Sequence, residues 1–351
     1  MSHRKPTLLL LAALISTLPL FARPISEEKA CAIATRFYYM KKLGDGIHKV
    51  KSLQALDLVY SSQHGEEIRL TPPEYYVFAP ENRKGFVIVA GDDRARQLIA
   101  GYSLNAPISY KTPSIAGFLD CYTGYIEALR QGKTSSKAKR KADAVAPLIA
   151  TQWGQHAPYN YYCPTYKEGK GLTGCVATAV AQIMKYHAWP TQAKSTTYRW
   201  AKMKKSYHTS AKTRITDVAR LMRDVGDAVQ MDYGRILSGA NSGNVLTALA
   251  ERFHYAPTMR YIHRSQHTDD AWYRIIADEL KACRPVYYDS HSTAHDGHAF
   301  IVCGMDEEGL YYVNWGWSGV YDGYFDFEAV SHPGTSYNYI QNAIIGIEPL
   351  R

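Results

Sequence analysis

Along the chain the spacing of apolar positions changes several times, and each change predicts an element. Behind the basic start His3, Arg4 and Lys5, Leu8 to Phe21 form one apolar run. At about 14 residues it is shorter than the ~20 that cross a bilayer, and Leu20-x-Ala22 before Arg23 suits a cleavage site. Residues 1–22 therefore read as an export signal rather than a buried helix, and no cysteine follows that could carry a lipid. From Glu27 to Met40, the residues Ala30, Ile33, Ala34, Phe37 and Tyr38 recur at helical spacing, ending near Gly44. The runs Tyr75–Phe78 and Phe86–Ala90, parted by a polar turn at Glu81–Gly85, predict a β-hairpin. A second helix is predicted over Ile115–Arg130.

Beyond Val145 the pattern puts helices first, at Cys175–His187, Thr213–Val225 and Asp269–Cys283. Strand-like runs follow at Arg284–Tyr288, His298–Gly304, Leu310–Trp317, Gly323–Phe327 and Ala343–Glu348. That succession predicts an α+β domain with an antiparallel sheet rather than alternating β-α units. Between the halves, residues 132–144 carry Lys133, Lys137, Lys139, Arg140 and Lys141 among small polar neighbours and no aromatic. Such a stretch cannot bury itself and reads as an exposed linker, which is also a good place for processing. The expected plan is a signal at 1–22, a small α+β domain at 23–144 ending in the linker, and a larger α+β domain at 145–351.

Composition agrees with that plan: 351 residues at 46% hydrophobic provide core for one large or two medium domains. The 28 tyrosines against 9 phenylalanines suit strands and clefts, where a ring offers an apolar body and a polar tip. The 6 cysteines are too few for a disulfide scaffold, and they include no Cys-x-x-Cys pair, which argues against a zinc ribbon. A net charge of +9 invites a nucleic-acid or membrane-surface reading. Its distribution withdraws the invitation. Residues 23–144 hold 19 basic and 13 acidic side chains, whereas 145–351 hold 20 and 19. The larger domain is nearly neutral, so neither a nucleic-acid partner nor a stable membrane association is expected of it.

Candidate chemistry lies in that larger domain. A glycine-rich approach, Gly171-Leu-Thr-Gly174, places Cys175 in the first turn of its helix, and Val176, Val180, Ile183, Met184 and His187 share one face. Free N–H groups and the positive end of the helix dipole there favour a thiolate, the form a nucleophile needs. The alternative is a small buried hydrophobe. His298 follows a glycine at the start of an apolar strand, a rigid mount for a general base. On the next strand Asn314 could accept from the ring N–H and fix its tautomer, while Trp315 shields the pair from water. Cysteine, then histidine, then asparagine with an aromatic is one workable order for thiol proteolysis.

These stretches, Thr173–His187 (TGCVATAVAQIMKYH), Gly297–Phe300 (GHAF) and Val313–Trp317 (VNWGW), closely resemble the streptopain family of secreted bacterial cysteine proteases. Lys84–Asp93 (KGFVIVAGDD) resembles its inhibitory pro-domain, and Thr151–Gln155 (TQWGQ) the start of its mature enzyme. The resemblance implies a papain-like catalytic domain at 145–351 behind a small α+β pro-domain. It implies an endopeptidase made as a zymogen, acting on protein or peptide substrates and inhibited by its own pro-domain. Cys175 matches the nucleophile and His298 its partner, with Asn314 and Trp315 supporting the ring. No metal or cofactor is implied. The family's preference is for apolar residues next to the cleaved bond. One departure concerns the oxyanion hole: the glutamine that papain-like enzymes keep six residues before the nucleophile is here Gly169. The Cys175 N–H can donate, and Gln155 is a better second donor than Gln152.

Three rival readings remain. His291, His295, Asp296 and His298 crowd into eight residues, but Asp289–Gly297 reads as a Ser/Thr/Gly-bearing loop and not as the helix that zinc ligands at that spacing require. A catalytically inactive adhesion or binding module on the same fold is the second, and labelling of Cys175 by an epoxide separates it from a protease. Nucleic-acid binding rests on charge alone. The five other cysteines, Cys31, Cys121, Cys163, Cys283 and Cys303, are odd in number and expected to be mostly reduced and buried. Gly316, Gly319 and Gly323 form either a mobile cleft wall or ordinary hairpin turns.

Overall fold

A computed structural model describes residues 23–63, 71–109, 112–134, 141–207, 216–291, 297–327, 329 and 340–350. The expected export signal, the middle of the basic linker at 135–140, and both His295 and Asp296 lie outside the described residues.

Ten strands form one sheet: β1 (Asp57–Ser61), β2 (Tyr75–Ala79), β3 (Phe86–Ala90), β4 (Ile99–Ser103), β5 (Arg260–His263), β6 (Val286–His291), β7 (His298–Met305), β8 (Tyr311–Asn314), β9 (Gly323–Phe325) and β10 (Ile340–Ile345). Their order is β1-β2-β3-β4-β9-β8-β7-β6-β10-β5, and each neighbouring pair is antiparallel. The expected hairpin is β2–β3, with Tyr76 opposite Val89. The two halves expected from the sequence share the sheet. In the junction between β4 and β9, Tyr102 faces Tyr324 and Gly101 faces Phe325.

Helices cover both faces. The first, α1 (Glu27–Leu43), is capped by Ser26, whose Oγ accepts from the Lys29 N–H, and stops at Gly44. On the other face lies α2 (Pro113–Arg130). This explains why β2 and β3 are buried at every position. Tyr76, Phe78, Val87 and Val89 pack with Ala30, Ala34 and Tyr38 of α1, while Val77, Phe86 and Ile88 pack with Phe118, Tyr122 and Ile126 of α2. In the second half, α3 (Cys175–His187) and α4 (Thr216–Ala228) pack against Tyr287, Ala299, Ile301 and Ile344. The helix α5 (Asp269–Lys281) presses Trp272, Ile276 and Leu280 onto Tyr288, Phe300 and Val302 of the opposite face. That second core runs on without a break across the junction. Phe118 meets Phe325 edge-on with ring centres 5.2 Å apart, and Phe86 lies 5.9 Å from the same ring.

Several element bounds differ from the expectation. The run expected as Leu310–Trp317 leaves the sheet after Asn314, and Gly316 (φ +73) and Gly319 (φ +81) turn the chain towards β9. The strand expected over Arg284–Tyr288 extends to His291, so Asp289, Ser290 and His291 belong to β6 rather than to a loop. The helix α3 is buried over all of Val176–Met184 instead of on one face, because sheet, α4 and the chain before it enclose it. Strands β1, β4 and β5 and the short helical stretch Asn244–Arg252 were not signalled by the pattern. No described helix is long and apolar enough to cross a membrane.

Candidate active site

Gly174 makes the turn that sets the nucleophile. Its φ is +83, and a Cβ there would lie 2.6 Å from the Met231 side chain, so glycine is required twice over. The hydroxyl of Thr178 donates to the Gly174 carbonyl at 2.9 Å and meets Thr173 Oγ1 at 2.9 Å, which fastens the first turn of α3. Cys175, the first residue of that helix, directs Sγ towards the backbone N–H groups of Ala299, Val176 and itself. These contacts favour the thiolate, as the sequence suggested. Burial outweighs them and pushes the thiol above its usual range, with the Asp289 carboxylate adding in the same direction.

His298 is the first residue of β7, and its Nε2 lies 2.9 Å from the Trp315 carbonyl oxygen. A carbonyl only accepts, so Nε2 carries the hydrogen and Nδ1 is left with the lone pair. The ring stacks on Trp317, with centres 5.3 Å apart and planes 9° from parallel. Burial lowers the imidazole from 6.5 to about 4, although the Trp315 carbonyl works the other way. Both groups are thus held neutral, and no hydrogen bond joins Cys175 Sγ to the His298 ring among the described residues. They line one cavity of about 380 Å³, to which no described residue of 23–144 contributes.

Asn314 does not take the ring proton. Its Oδ1 accepts from Gln182 Nε2 at 3.0 Å and from the Gly316 N–H at 3.1 Å, while Nδ2 donates to the Thr151 carbonyl at 2.8 Å. The amide knits α3 to the two segments beside it, and the orienting acceptor comes from the backbone of Trp315. The Trp315 indole is fully buried against Phe300, Phe325 and Phe327. Its backbone N–H donates to Asp322 Oδ1 at 3.0 Å, and burial raises that carboxyl from 3.8 to about 7. Gln155 is buried, and its carbonyl accepts from the Thr173 N–H at 3.1 Å, just ahead of the nucleophile. Gln152 instead lines a second cavity with Tyr102 and Asn105 of the first half, packed against Gly319. Gly169 pairs with Tyr166 in a two-residue exposed ladder. Among the described residues no three His, Cys, Asp or Glu side chains could hold a metal, and all six cysteines are free, with Cys283 exposed.

Residues 153–325 match the Peptidase C10 family, and residues 22–126 match the Spi protease inhibitor. Streptopain of Streptococcus pyogenes is 32% identical over 76% of this chain and 78% of its own length. The chain belongs to the Peptidase C10 family. The thiol protease/hemagglutinin PrtT of Porphyromonas gingivalis is 31% identical over 97% of this chain, which spans only 44% of that relative. Among solved structures, a fragment of Prevotella intermedia prointerpain A has a TM-score of 0.71 at 28% identity, covering 85% of this chain and all of the fragment. Active interpain A from the same organism has a TM-score of 0.53 at 33% identity, covering 59% of this chain and 98% of its own.

This C10 peptidase is therefore a cysteine protease preceded by an inhibitory pro-domain. The pro-domain reaches the enzyme along the β4–β9 junction and through polar side-chain contacts. Arg96 pairs with Asp326 at 2.9 Å, Tyr102 donates to Asp306 at 3.0 Å, and Lys41 meets Asp306 and Glu307. The sequence reading missed Gln182, Asp289 and Asp322. Gln182 alone carried a signal, as one polar residue in an otherwise apolar helix centre.

Proposed function

We propose that the protein is exported through the signal at 1–22 and held latent by the pro-domain of 23–144. In this reading a cut within residues 133–146 releases an endopeptidase. The Cys175 thiolate attacks the scissile carbonyl, His298 protonates the leaving amine, and the acyl-enzyme is hydrolysed by water that His298 activates. The Trp315 carbonyl holds His298 with Nδ1 as the working nitrogen, Asn314 braces the backbone around it, and the Cys175 N–H with Gln155 serves the oxyanion. One observation carries the reading: the first residue of α3 and the first residue of β7 open into the same cavity, one a thiol and the other an oriented imidazole. Their missing mutual hydrogen bond fits a latent state that closes on activation.

The test compares wild type and Cys175→Ala, purified as precursors, by N-terminal analysis, casein digestion and epoxide labelling. Wild type should shorten near 133–146, digest casein better with a reductant present, and label at Cys175. The variant should remain full-length and do neither. A variant that shortens equally in clean buffer removes self-processing. A processed wild type that neither labels nor digests favours the adhesion or binding module.

A further inference from the structure

The cavity beside the nucleophile also holds a carboxylate that the reaction above does not use. Asp289 stands on β6 directly opposite Ala299 of β7 and Asn342 of β10. Side chains alternate along a strand, so it shares the face of Tyr287, on which α3 packs. It is 9% exposed. Tyr261 donates to Oδ2 at 2.8 Å and Asn342 Nδ2 donates to Oδ1 at 2.9 Å. Both donors are neutral, and each carboxylate oxygen can accept a second hydrogen bond. Among the described residues Asp289 has no cationic partner, and the cavity is lined by no other carboxylate and by no lysine or arginine.

A carboxylate withdrawn from water without a counter-ion is costly, and this one also works against the thiolate that the reaction needs. A cation entering the cavity removes both disadvantages. We propose that Asp289 builds a subsite for a lysine or arginine side chain of the substrate next to the scissile bond. Val176 and the Tyr261 ring flank the methylene stem, and Asn342 adds a polar contact beside the charged head. This deepens the peptidase reading and rests on it. It departs from the apolar preference that the family resemblance implied, because an apolar side chain would bury Asp289 further with nothing to pair it.

Activated enzyme is assayed on matched fluorogenic peptides that differ at one position at a time on either side of the cleaved bond. Lysine is set against norleucine and arginine against citrulline. At one position kcat/KM for the cation should exceed that for its neutral match by about 10- to 100-fold, the range of a charge-assisted hydrogen bond. Asp289→Asn should bring that ratio close to one. Equal cleavage of basic and neutral peptides at every position by wild type overturns the subsite, whatever the variant does. So does a preference that survives Asp289→Asn. If no peptide is cleaved and Cys175 takes no epoxide, the peptidase reading falls and the subsite with it.

Discussion

His298 and Asp322 hold Trp315 from two sides, one at its carbonyl and the other at its N–H. Burial disfavours the charged form of each, which gives them opposite pH signatures. The imidazole drops from 6.5 to about 4, so between those values the unfolded chain binds a proton that the folded one refuses. Stability therefore falls as pH falls across that window. The carboxyl rises from 3.8 to about 7, so the folded chain keeps a proton that the unfolded one has lost, and stability falls as pH rises. The two slopes oppose each other over most of their range. Asp322→Asn should expose the histidine slope alone. Urea unfolding of the Cys175→Ala precursor from about pH 4 to about pH 7 should then show the Asn variant gaining stability with pH relative to its parent. Parallel curves would count against the raised carboxyl. Cys175 and His298 were legible in the sequence because a glycine-led helix start and a Gly-His strand start are local features. The acceptor for the ring was not, because Asn314 and the Trp315 carbonyl are neighbours in the chain. Only the bend after β8 decides which of them faces the imidazole.

The helix α3 shows what local sequence can specify. Gly174 starts it and Trp189-Pro190 closes it, so its bounds were legible to the residue. Gly174→Ala forces a side chain into a left-handed backbone and against Met231. It should destabilise the Cys175→Ala precursor by about 2–4 kcal/mol in urea. In the Cys175 enzyme it should slow epoxide labelling at least tenfold, because Sγ leaves its backbone N–H groups. A variant of parental stability and labelling rate would show that the turn tolerates a side chain. Strand β4 is the opposite case. Ile99-Ala-Gly-Tyr-Ser103 is short and broken by Gly101, and a Cβ there would sit 2.9 Å from the Tyr324 carbonyl oxygen. One of its edges pairs with nearby β3, but the other is covered by β9, more than 200 residues away and beyond the reach of any local period.

For the molecule as a whole, the α+β class and the order of pro-domain before enzyme were legible, but the single sheet running through both was not. Two compositionally separate halves gave no sign that Phe118 and Phe325 would share a core. The junction also buries an ion pair, with Arg96 and Asp326 side chains 3% and 1% exposed. Gln97 donates to the same carboxylate at 3.0 Å. Removing one partner of a buried pair leaves the other uncompensated, at about 3–5 kcal/mol. Because that penalty falls on the contact between pro-domain and enzyme, Arg96→Ala should loosen docking. Precursor with the intact nucleophile should process several-fold faster on a gel time course and show higher casein activity before processing. Processing at the parental rate would take the pair out of the latch.

The shared sheet also separates cutting from release. On the proposed route, a cut at 133–146 would leave β4 paired with β9, and Phe118 and Arg96 on their partners. While the chain is whole, the inhibitor is present at the effective concentration that a tether confers. Once it is cut, the inhibitor is present only at the concentration of the enzyme itself. Freshly nicked enzyme in a concentrated pool would stay blocked by its own severed fragment, whereas dilution or digestion of that fragment would free it. The delay before activity would then depend on how concentrated the protein is, as well as on how fast it is cut.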